Sequence, residues 1–189
     1  MKLNLGCGRR PRDGWTNLDR CDLPGVDVVH DLEDHTRPLP FAGDTVAEIL
    51  GVDLIEHIAD PLALMQELWR VATPDAVCRF ELPYGSSDDA WEDPTHVRPY
   101  FYNSWLFFAQ PTYWRADYGY RGDWQPETLT LYVHLDTGHP DVLGQVMALR
   151  NVVARQVVTL RAIKPARPPE RELMTQPALT FEPAERGGR

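Results

Sequence analysis

The first 82 residues alternate short apolar runs with polar turns or helical segments, and this alternation restricts the chain to few folds. Five of the runs resemble strands, namely residues 3–5, 15–18, 26–29, 46–50 and 77–82. A helical pattern precedes the fifth run, with Asp60 as a suitable cap and Pro61 as a suitable first residue. Leu62, Met65 and Trp69 then share one helix face. Strands separated in this way predict an α/β fold with a parallel sheet.

Residues 85–127 interrupt this rhythm with an unusual concentration of aromatic side chains. Between Tyr100 and Trp124 the chain carries 11 of its 19 aromatic residues. Leaving so much apolar surface in water is unfavourable, so we expect something to cover it. The segment is interpreted as a ligand pocket with a lid, as a small packed subdomain, or as the contact face of a homodimer.

The C-terminal part predicts two further strands and a tail. Residues 129–135 and 157–163 resemble a sixth and a seventh strand, and residues 140–151 resemble a helix. The last 26 residues, from Lys164, contain five prolines. This composition predicts a segment without fixed structure.

The formal net charge of −9 is concentrated in residues 1–100, which carry 9 Lys/Arg and 19 Asp/Glu, whereas residues 101–189 carry 10 and 9. Such a surface repels phosphate backbones, which disfavours a long nucleic-acid footprint and still allows a small substrate. No apolar run reaches the roughly 20 residues of a membrane span, and the first residues do not resemble a signal peptide. Three cysteines without zinc-type spacing predict free thiols in a reducing compartment, so the expected location is cytoplasmic.

The first strand ends in a glycine turn, Gly6-Cys7-Gly8. Glycines at this point allow a ligand to approach the backbone beyond the carboxyl end of a parallel strand. Arg9, Arg10 and Pro11 follow, so the third glycine of a dinucleotide-binding fingerprint is missing, which disfavours a nicotinamide cofactor. A simple tight turn is the alternative interpretation.

Two acidic residues follow the next two strands. The carboxylate of Asp19 can accept hydrogen bonds from both hydroxyls of a ribose. Asp31, together with the backbone N–H of Leu32, can contact the amino edge of adenine. Acidic residues at strand ends also cap loops, which is the alternative for each of them. Together with the glycine turn they predict a nucleoside-binding crevice.

An ordered set of motifs resembles the class I S-adenosylmethionine-dependent methyltransferases. The set comprises LNLGCG at residues 3–8, Asp19, Asp31-Leu32, LPF at 39–41, LIEHI at 54–58 and RVATP at 70–74. It covers residues 2–82, with a weak continuation over 129–163. The motifs are specific for the cofactor and carry almost no information about the methyl acceptor.

The resemblance implies a fold and a cofactor. The fold would be a Rossmann-like three-layer sandwich whose mostly parallel seven-stranded sheet has an antiparallel edge strand and an aromatic-rich insertion after the fifth strand. The methyltransferase domain would span 1–163, with the insertion at 85–127 and a flexible tail at 164–189. S-adenosylmethionine would be the cofactor and S-adenosylhomocysteine the product.

The resemblance also implies residue roles. Gly6, Cys7 and Gly8 would lie beside the methionine part of the cofactor, and Asp19 would hold the ribose. Asp31 and Leu32 would frame the adenine. Gly51 and Asp53, after the fourth strand, would lie near the sulfonium.

Two departures from the family pattern have structural consequences. Ten residues separate Gly8 from Asp19, so the first helix of the family would be very short or absent. The cofactor would then be more exposed, and Arg9, Arg10 or Arg12 could pair with its carboxylate. Asp75 also stands where the family often has glycine.

Residues after the fifth strand would lie at the ligand end of the sheet. Asp93 and His96 are candidates for an oriented acid–base pair, and Arg98 and Tyr100 are candidates for substrate binding. The alternative is a turn in which Asp93 and His96 only hold the insertion in place. A metal site from these two residues is disfavoured because no third ligand follows at a regular spacing.

The remaining histidines have less distinctive surroundings. His57, in the Glu56-His57 pair, is expected to tether the start of the following helix. His134 and His139 flank a turn and are expected at the surface.

Together these features predict a methyltransferase acting on a small or glycan-like acceptor. One alternative is a non-catalytic nucleoside-binding or partner-binding module on the same fold. A nicotinamide-dependent oxidoreductase is the second alternative.

Overall fold

The structure, a computed structural model, describes residues 1–137 and 139–184 and contains one eight-stranded sheet. The strands are β1 (Lys2–Leu5), β2 (Thr16–Asp19), β3 (Val28–Val29), β4 (Val46–Val52), β5 (Ala72–Pro83), β6 (Trp124–Val133), β7 (Val153–Ala162) and β8 (Ala178–Pro183). Their order across the sheet is β3-β2-β1-β4-β5-β7-β6-β8. Strand β7 is antiparallel to β5 and β6, and the other neighbouring pairs are parallel.

The helices are few and short. They comprise α1 (Pro61–Val71), α2 (Asp89–Glu92) and α3 (Val142–Ala148), with 3-10 helices at Ile55–His57, Ser104–Phe108, Gln110–Trp114 and Arg171–Leu173. Among the described residues, none of these helices has the length and apolar character needed to cross a bilayer.

The predicted α/β class and mostly parallel sheet are confirmed, and all seven expected strands are present. Two features differ from the expectation. An eighth strand extends the sheet beyond β6, and the antiparallel strand β7 lies inside the sheet rather than at its edge. The three cysteines are free thiols, as predicted.

Helix α1 begins where the sequence predicts. The carboxylate of Asp60 accepts a hydrogen bond from the backbone N–H of Ala63 at 3.0 Å, and Pro61 occupies the first turn. Its fully buried stripe contains Leu64, Met65 and Leu68, while the predicted face residues Leu62 and Trp69 are partly buried at the margin of the core. The helix therefore packs through a stripe that only partly overlaps the predicted face.

The aromatic segment packs on the same face of the sheet as α1. The Trp105 ring stacks between Phe80 of β5, at 6.1 Å, and Tyr100, at 5.0 Å. Its indole N–H donates to Gln156 Oε1 of β7 at 2.9 Å. The indole N–H of Trp124 donates to the carbonyl of Met65 in α1 at 2.9 Å. The segment thus contributes to the core and takes the place of a second long helix.

The opposite face of the sheet is polar along β5 and β7. Arg79, Glu81, Arg155 and Arg161 alternate with the buried residues of these strands, and their side chains are exposed by one third to one half. Arg155 and Glu81 pair across the strands at 3.6 Å. Exposed pairs of this kind suit a surface in contact with water. In this region the fold has two layers rather than the expected three.

Asp75 explains one departure from the family pattern. Its φ is +62°, a left-handed conformation that glycine adopts without steric cost. Asp is one of the few other residues that tolerate it. Asp75 therefore adopts, within β5, a conformation that a glycine at this position would adopt freely.

The C-terminal segment is anchored, so the expected flexible tail over 164–184 is wrong for these residues. Strand β8 pairs with β6 from Thr128↔Ala178 to Val133↔Pro183. Upstream of it, the Arg167 guanidinium makes two hydrogen bonds to the fully buried carboxylate of Asp123, at 2.7 and 2.8 Å. The backbone N–H groups of Arg167 and Gln110 donate to the same carboxylate. Residues 185–189 of the predicted tail lie outside the described residues.

Replacing Arg167 with alanine should lower the free energy of unfolding by about 3 kcal/mol, because the Asp123 carboxylate would remain buried without its countercharge. Urea denaturation monitored by tryptophan fluorescence measures this change. Arg121→Ala is the matched control, since Arg121 pairs with Asp117 at the surface and its loss should change stability by less than about 1 kcal/mol. Equal effects of the two substitutions would contradict the anchoring role.

Candidate active site

Strands β1, β2 and β4 end at the same edge of the sheet. Leu5 of β1 is level with Leu18 of β2 and with Gly51 of β4, and all three strands are parallel. The next residues along the chain, Gly6, Asp19 and Val52, therefore meet at this carboxyl edge. Open parallel sheets bind ligands at such an edge.

The glycine turn after β1 has backbone angles that favour glycine. Gly6 has a φ of +57° and Gly8 a φ of +52°. A Cβ added to Gly6 would lie 2.7 Å from Cδ1 of Leu54, whereas a Cβ added to Gly8 would meet no atom within 4 Å. Gly6 thus allows Leu54 to pack against the turn, and Gly8 leaves bare backbone facing open space. Cys7, between them, is buried, and burial together with the nearby Asp19 charge raises the pKa of its thiol.

Asp19 fixes the turn. Its Oδ2 accepts a hydrogen bond from the backbone N–H of Gly8 at 2.8 Å, and its Oδ1 accepts one from Cys21 at 2.9 Å. Each carboxylate oxygen has a second lone pair that can accept a hydroxyl. The predicted glycine turn and acidic residue are therefore brought together into one unit.

Asp31 and Leu32 lie just beyond β3, in the position that the sequence predicts. Asp31 is exposed, and its Oδ1 accepts a hydrogen bond from the backbone N–H of Glu33 at 3.0 Å. Leu32 packs against the core. The capping role proposed as the alternative for Asp31 is thus present, and its carboxylate also remains open to a ligand.

The connection between β1 and β2 contains turns and no helix, as the short spacing predicts. Arg9, Arg10 and Arg12 lie exposed on it. The ion pairs found among the described residues do not involve these three side chains. In a chain with a net charge of −9, they place three exposed cationic side chains close to Gly8 in the sequence.

A second cluster lies beyond the end of β4, where Glu56, His57 and His96 meet. One potential ligand atom from each residue lies within 4.8 Å of those of the other two. Glu56 is 4% exposed, and neither of its carboxylate oxygens has a hydrogen-bond partner among the described residues. Burial, reinforced by the Asp53 charge, raises the pKa of Glu56 to about 7 against the opposing effects of its own backbone N–H group, His96 and Arg155.

The segment that carries His96 is held against the Ile55–His57 helix. The backbone N–H groups of Val97 and Arg98 both donate to the carbonyl of Glu56, at 2.9 and 3.1 Å. His57 Nδ1 lies 3.2 Å from the carbonyl oxygen of Thr95 and 3.0 Å from its hydroxyl. His57 therefore links the Ile55–His57 helix to the segment after β5, whereas the predicted tether was to the start of the following helix.

Asp93 and His96 are brought together as predicted, but not at hydrogen-bond distance. Oδ2 of Asp93 lies 4.0 Å from Nε2 of His96. The Thr95 hydroxyl donates to Asp93 Oδ1 at 2.6 Å, and the Thr95 backbone N–H donates to the same oxygen. These bonds to Thr95 lower the pKa of Asp93. Nδ1 of His96 is buried and has no partner among the described residues.

The predicted substrate-binding residues Arg98 and Tyr100 line a common cleft of about 420 Å³. Tyr100 is 2% exposed and its hydroxyl donates to the carbonyl of Ile55 at 3.4 Å, so its ring belongs mainly to the core. Arg98 is exposed and contacts the carbonyl of Ala59. Phe107 and Tyr118, both largely exposed, also line the cleft.

The remaining predicted residues are two at the carboxyl end of β4, Gly51 and Asp53, and two histidines elsewhere. Gly51 lies in β4 against Phe80, and a Cβ there would lie 2.7 Å from that ring. Asp53 follows β4 and forms an ion pair with Arg155 at 2.7 Å. His134 and His139 are exposed, as expected. Glu56 is the residue that the sequence did not single out for chemistry. The only sequence signal for Glu56 was its place in the Glu56-His57 pair. His96 lies 39 residues after His57, so no local spacing indicates that the three side chains meet.

Comparison with known proteins identifies the fold. No protein-family profile and no curated protein matches the sequence. Among solved structures, a SAM-dependent methyltransferase from Archaeoglobus fulgidus matches with a TM-score of 0.53 and 15% identity, covering 84% of each chain. A SAM-dependent methyltransferase from Methanosarcina mazei matches with a TM-score of 0.53 and 12% identity, covering 85% of this chain and 91% of that one.

This chain has the class I methyltransferase fold. The 4+2 cyclase SpnF matches equally well, with a TM-score of 0.53 and 14% identity, covering 85% of this chain and 73% of that one. The methyltransferase fold thus includes a protein named for a different reaction, and function has to be argued from the site.

At pH 8, above its pKa, the carboxyl group of Glu56 is charged, and a chelator keeps the protein free of metal ions. Under these conditions, replacing Glu56 with glutamine should raise the free energy of unfolding by about 1–2 kcal/mol, because it removes a buried charge without changing the side-chain volume. Urea denaturation measures the gain. Glu92→Gln, at an exposed position, is the control and should change stability by less than about 0.5 kcal/mol. A loss of stability in Glu56→Gln would mean that the carboxylate is already compensated.

Proposed function

We propose that the protein binds S-adenosylmethionine beyond the carboxyl edge of β1, β2 and β4 and transfers its methyl group to an acceptor. The observation that carries this proposal is the turn at Gly6–Gly8, whose bare outer backbone at Gly8 is tied to the carboxylate of Asp19. Such a turn offers close backbone approach and a hydroxyl-binding carboxylate side by side. The methyltransferase fold supports the same conclusion.

The residues at this edge fit the parts of the cofactor. Asp19 has free lone pairs for the ribose hydroxyls, and Asp31 with Leu32 would frame the adenine. Arg9, Arg10 and Arg12 supply positive charge for the carboxylate of the methionine part. Gly6, Cys7 and Gly8 would line that part, while Gly51 and Asp53 would lie towards the sulfonium.

The reaction requires little chemistry from the protein. When bound, the cofactor supplies an already activated methyl group. The chain has to align the acceptor, exclude water and, for a protonated acceptor, provide for proton removal. Asp93 and His96 remain the proposed contributors to this last step, because their segment is fixed to Glu56 beyond the end of β4.

The cleft beside Arg98 supports a small or glycan-like acceptor. Its volume of about 420 Å³ is within the range of small-molecule sites, and its aromatic walls suit a planar or sugar-like group. Arg98 would hold an anionic substituent. The exposed Phe107 and Tyr118 equally support the proposed homodimer contact, and the three free cysteines support the proposed reducing, cytoplasmic location.

The structure also bears on the nicotinamide alternative. Dinucleotide sites place the pyrophosphate at the N-terminus of a helix that begins within the glycine turn. Here the residues between β1 and β2 form turns, so this helix is missing. A non-catalytic module with the same cofactor site remains the stronger alternative, and it would show binding without turnover.

Asp19→Ala should weaken the binding of S-adenosylhomocysteine at least about tenfold, because it removes the ribose acceptor and loosens the Gly8 turn. Isothermal titration calorimetry measures the affinity. Asp22→Ala, an exposed acidic residue three positions later, removes the same charge and should bind normally.

His96→Ala should keep this affinity and lose methyl transfer in a screen of small acceptors.

NAD should not raise the melting temperature of the unmodified protein, whereas a specific ligand at 100 times its Kd adds about 2.7 kcal/mol of stability. Failure of the unmodified protein to bind S-adenosylhomocysteine would refute the proposed function. Binding by Asp19→Ala at full strength would refute the assigned site.

A further inference from the structure

We propose that Glu56, His57 and His96 form a binding site for a divalent transition-metal ion of the zinc type. The three side chains come from the Ile55–His57 helix and from the segment after β5, and their ligand atoms lie within 4.8 Å of one another. This is a ligand set of two imidazoles and one carboxylate, which occurs in zinc enzymes.

The state of Glu56 is the first argument. A carboxylate that is 4% exposed loses most of its hydration, and neither oxygen has a hydrogen-bond partner among the described residues. Buried carboxyl groups are otherwise protonated, hydrogen-bonded, paired or bound to a metal. The neighbouring cation, Arg155, is engaged by Asp53 at 2.7 Å and by Glu81 at 3.6 Å. A metal ion would supply the missing positive charge.

The orientation of His57 is the second argument. Its Nδ1 faces the carbonyl oxygen of Thr95, a pure acceptor, at 3.2 Å. A proton on Nδ1 satisfies this contact, so Nε2 carries the lone pair. Metal-binding histidines commonly donate their second N–H to a carbonyl or carboxylate in this way.

His96 has the complementary arrangement. Its Nε2 faces the carboxylate of Asp93 at 4.0 Å, while its Nδ1 is buried without a partner among the described residues. The nitrogen available for a metal is therefore Nδ1. Asp93 also accepts the Thr95 hydroxyl, which itself contacts His57. Asp93 is thus a positioning residue for both imidazoles: it acts on His57 through Thr95 and on His96 through its charge. This role does not require a direct hydrogen bond between Asp93 and His96.

The donor set selects the kind of ion. Imidazole nitrogens favour Zn²⁺ and other first-row transition metals, whereas Mg²⁺ and Ca²⁺ favour all-oxygen sites. Zinc bonds of about 2.0–2.2 Å require ligand atoms closer together than 4.8 Å, so the side chains would rotate inward on binding. Three protein ligands leave one coordination position open. If the proposed function holds, that position would take an acceptor oxygen and lower its pKa. Asp93 and His96 would then contribute to proton removal by holding the ion rather than by accepting the proton directly.

Titration of the chelator-treated protein with Zn²⁺ alone tests the site. We expect one ion per chain by calorimetry, and one Co²⁺ ion with visible absorption bands of a low-symmetry site. Glu56→Gln and His96→Ala should each weaken the binding of Zn²⁺ at least about tenfold. His134→Ala, which removes an exposed side chain and leaves the backbone hydrogen bond to Val152 in place, should bind normally.

Circular dichroism establishes that the variants are folded, and Glu56→Gln retains the side-chain volume. Absence of saturable Zn²⁺ binding, or equal binding by all three variants, would overturn the proposal. Displacement of Zn²⁺ by millimolar Mg²⁺ would also overturn it, because the donor set would then not be the one proposed.

The same protein samples separate this proposal from the proposed function. S-adenosylhomocysteine should bind with and without chelator, because its contacts lie at Gly8 and Asp19. Zinc binding without binding of S-adenosylhomocysteine would refute the methyltransferase assignment and leave the metal site intact. The reverse result would refute only the metal site.

Discussion

The indole N–H groups of Trp105 and Trp124 both lie in the buried layer on one face of the sheet, and each has a partner there. Trp105 donates to Gln156 of β7, and Trp124 donates to the carbonyl of Met65 in α1. A buried donor without a partner costs about 1–3 kcal/mol, so these two bonds fix where the aromatic segment can pack. The position of the segment that carries His96 depends on this layer, because that segment continues into Tyr100, which stacks on Trp105.

The sequence predicts the elements whose signals are local. Alternating apolar residues located all seven expected strands, and the Asp60-Pro61 pair located the start of α1. Strand β8 was missed because its prolines suggested disorder, although Leu179, Thr180 and Phe181 alternate in the way that a strand requires. The absence of helices on the exposed face of the sheet was predicted only in part. The short link between β1 and β2 predicted that a helix is missing there, but the polar residues of β5 were not interpreted as an exposed face.

The candidate site likewise contains residues that local sequence patterns predict and residues that only the folded chain brings together. Gly6, Gly8 and Asp19 lie within a few residues of two adjacent strands, so the parallel sheet alone brings them together. The carboxylate of Glu56 and the imidazole of His96 meet because the backbone N–H groups of Val97 and Arg98 bond to the Glu56 carbonyl. No spacing rule anticipates such a contact. Asp93 lies near His96 because the two are three residues apart, whereas the contacts of Thr95 with Asp93 and His57 depend on the folded loop.

The buried pair of Asp123 and Arg167 has a consequence for the way the chain is made. During synthesis, Asp123 leaves the ribosome well before Arg167, and a nascent chain ending at residue 163 exposes a carboxylate that has no countercharge. Closing the aromatic layer at that stage would bury an isolated negative charge, which is strongly unfavourable. Completion of the native packing is therefore most favourable once the C-terminal segment is available. A shortened gene that stops at the apparent end of β7 would encode a less stable chain, in which this carboxylate has no countercharge.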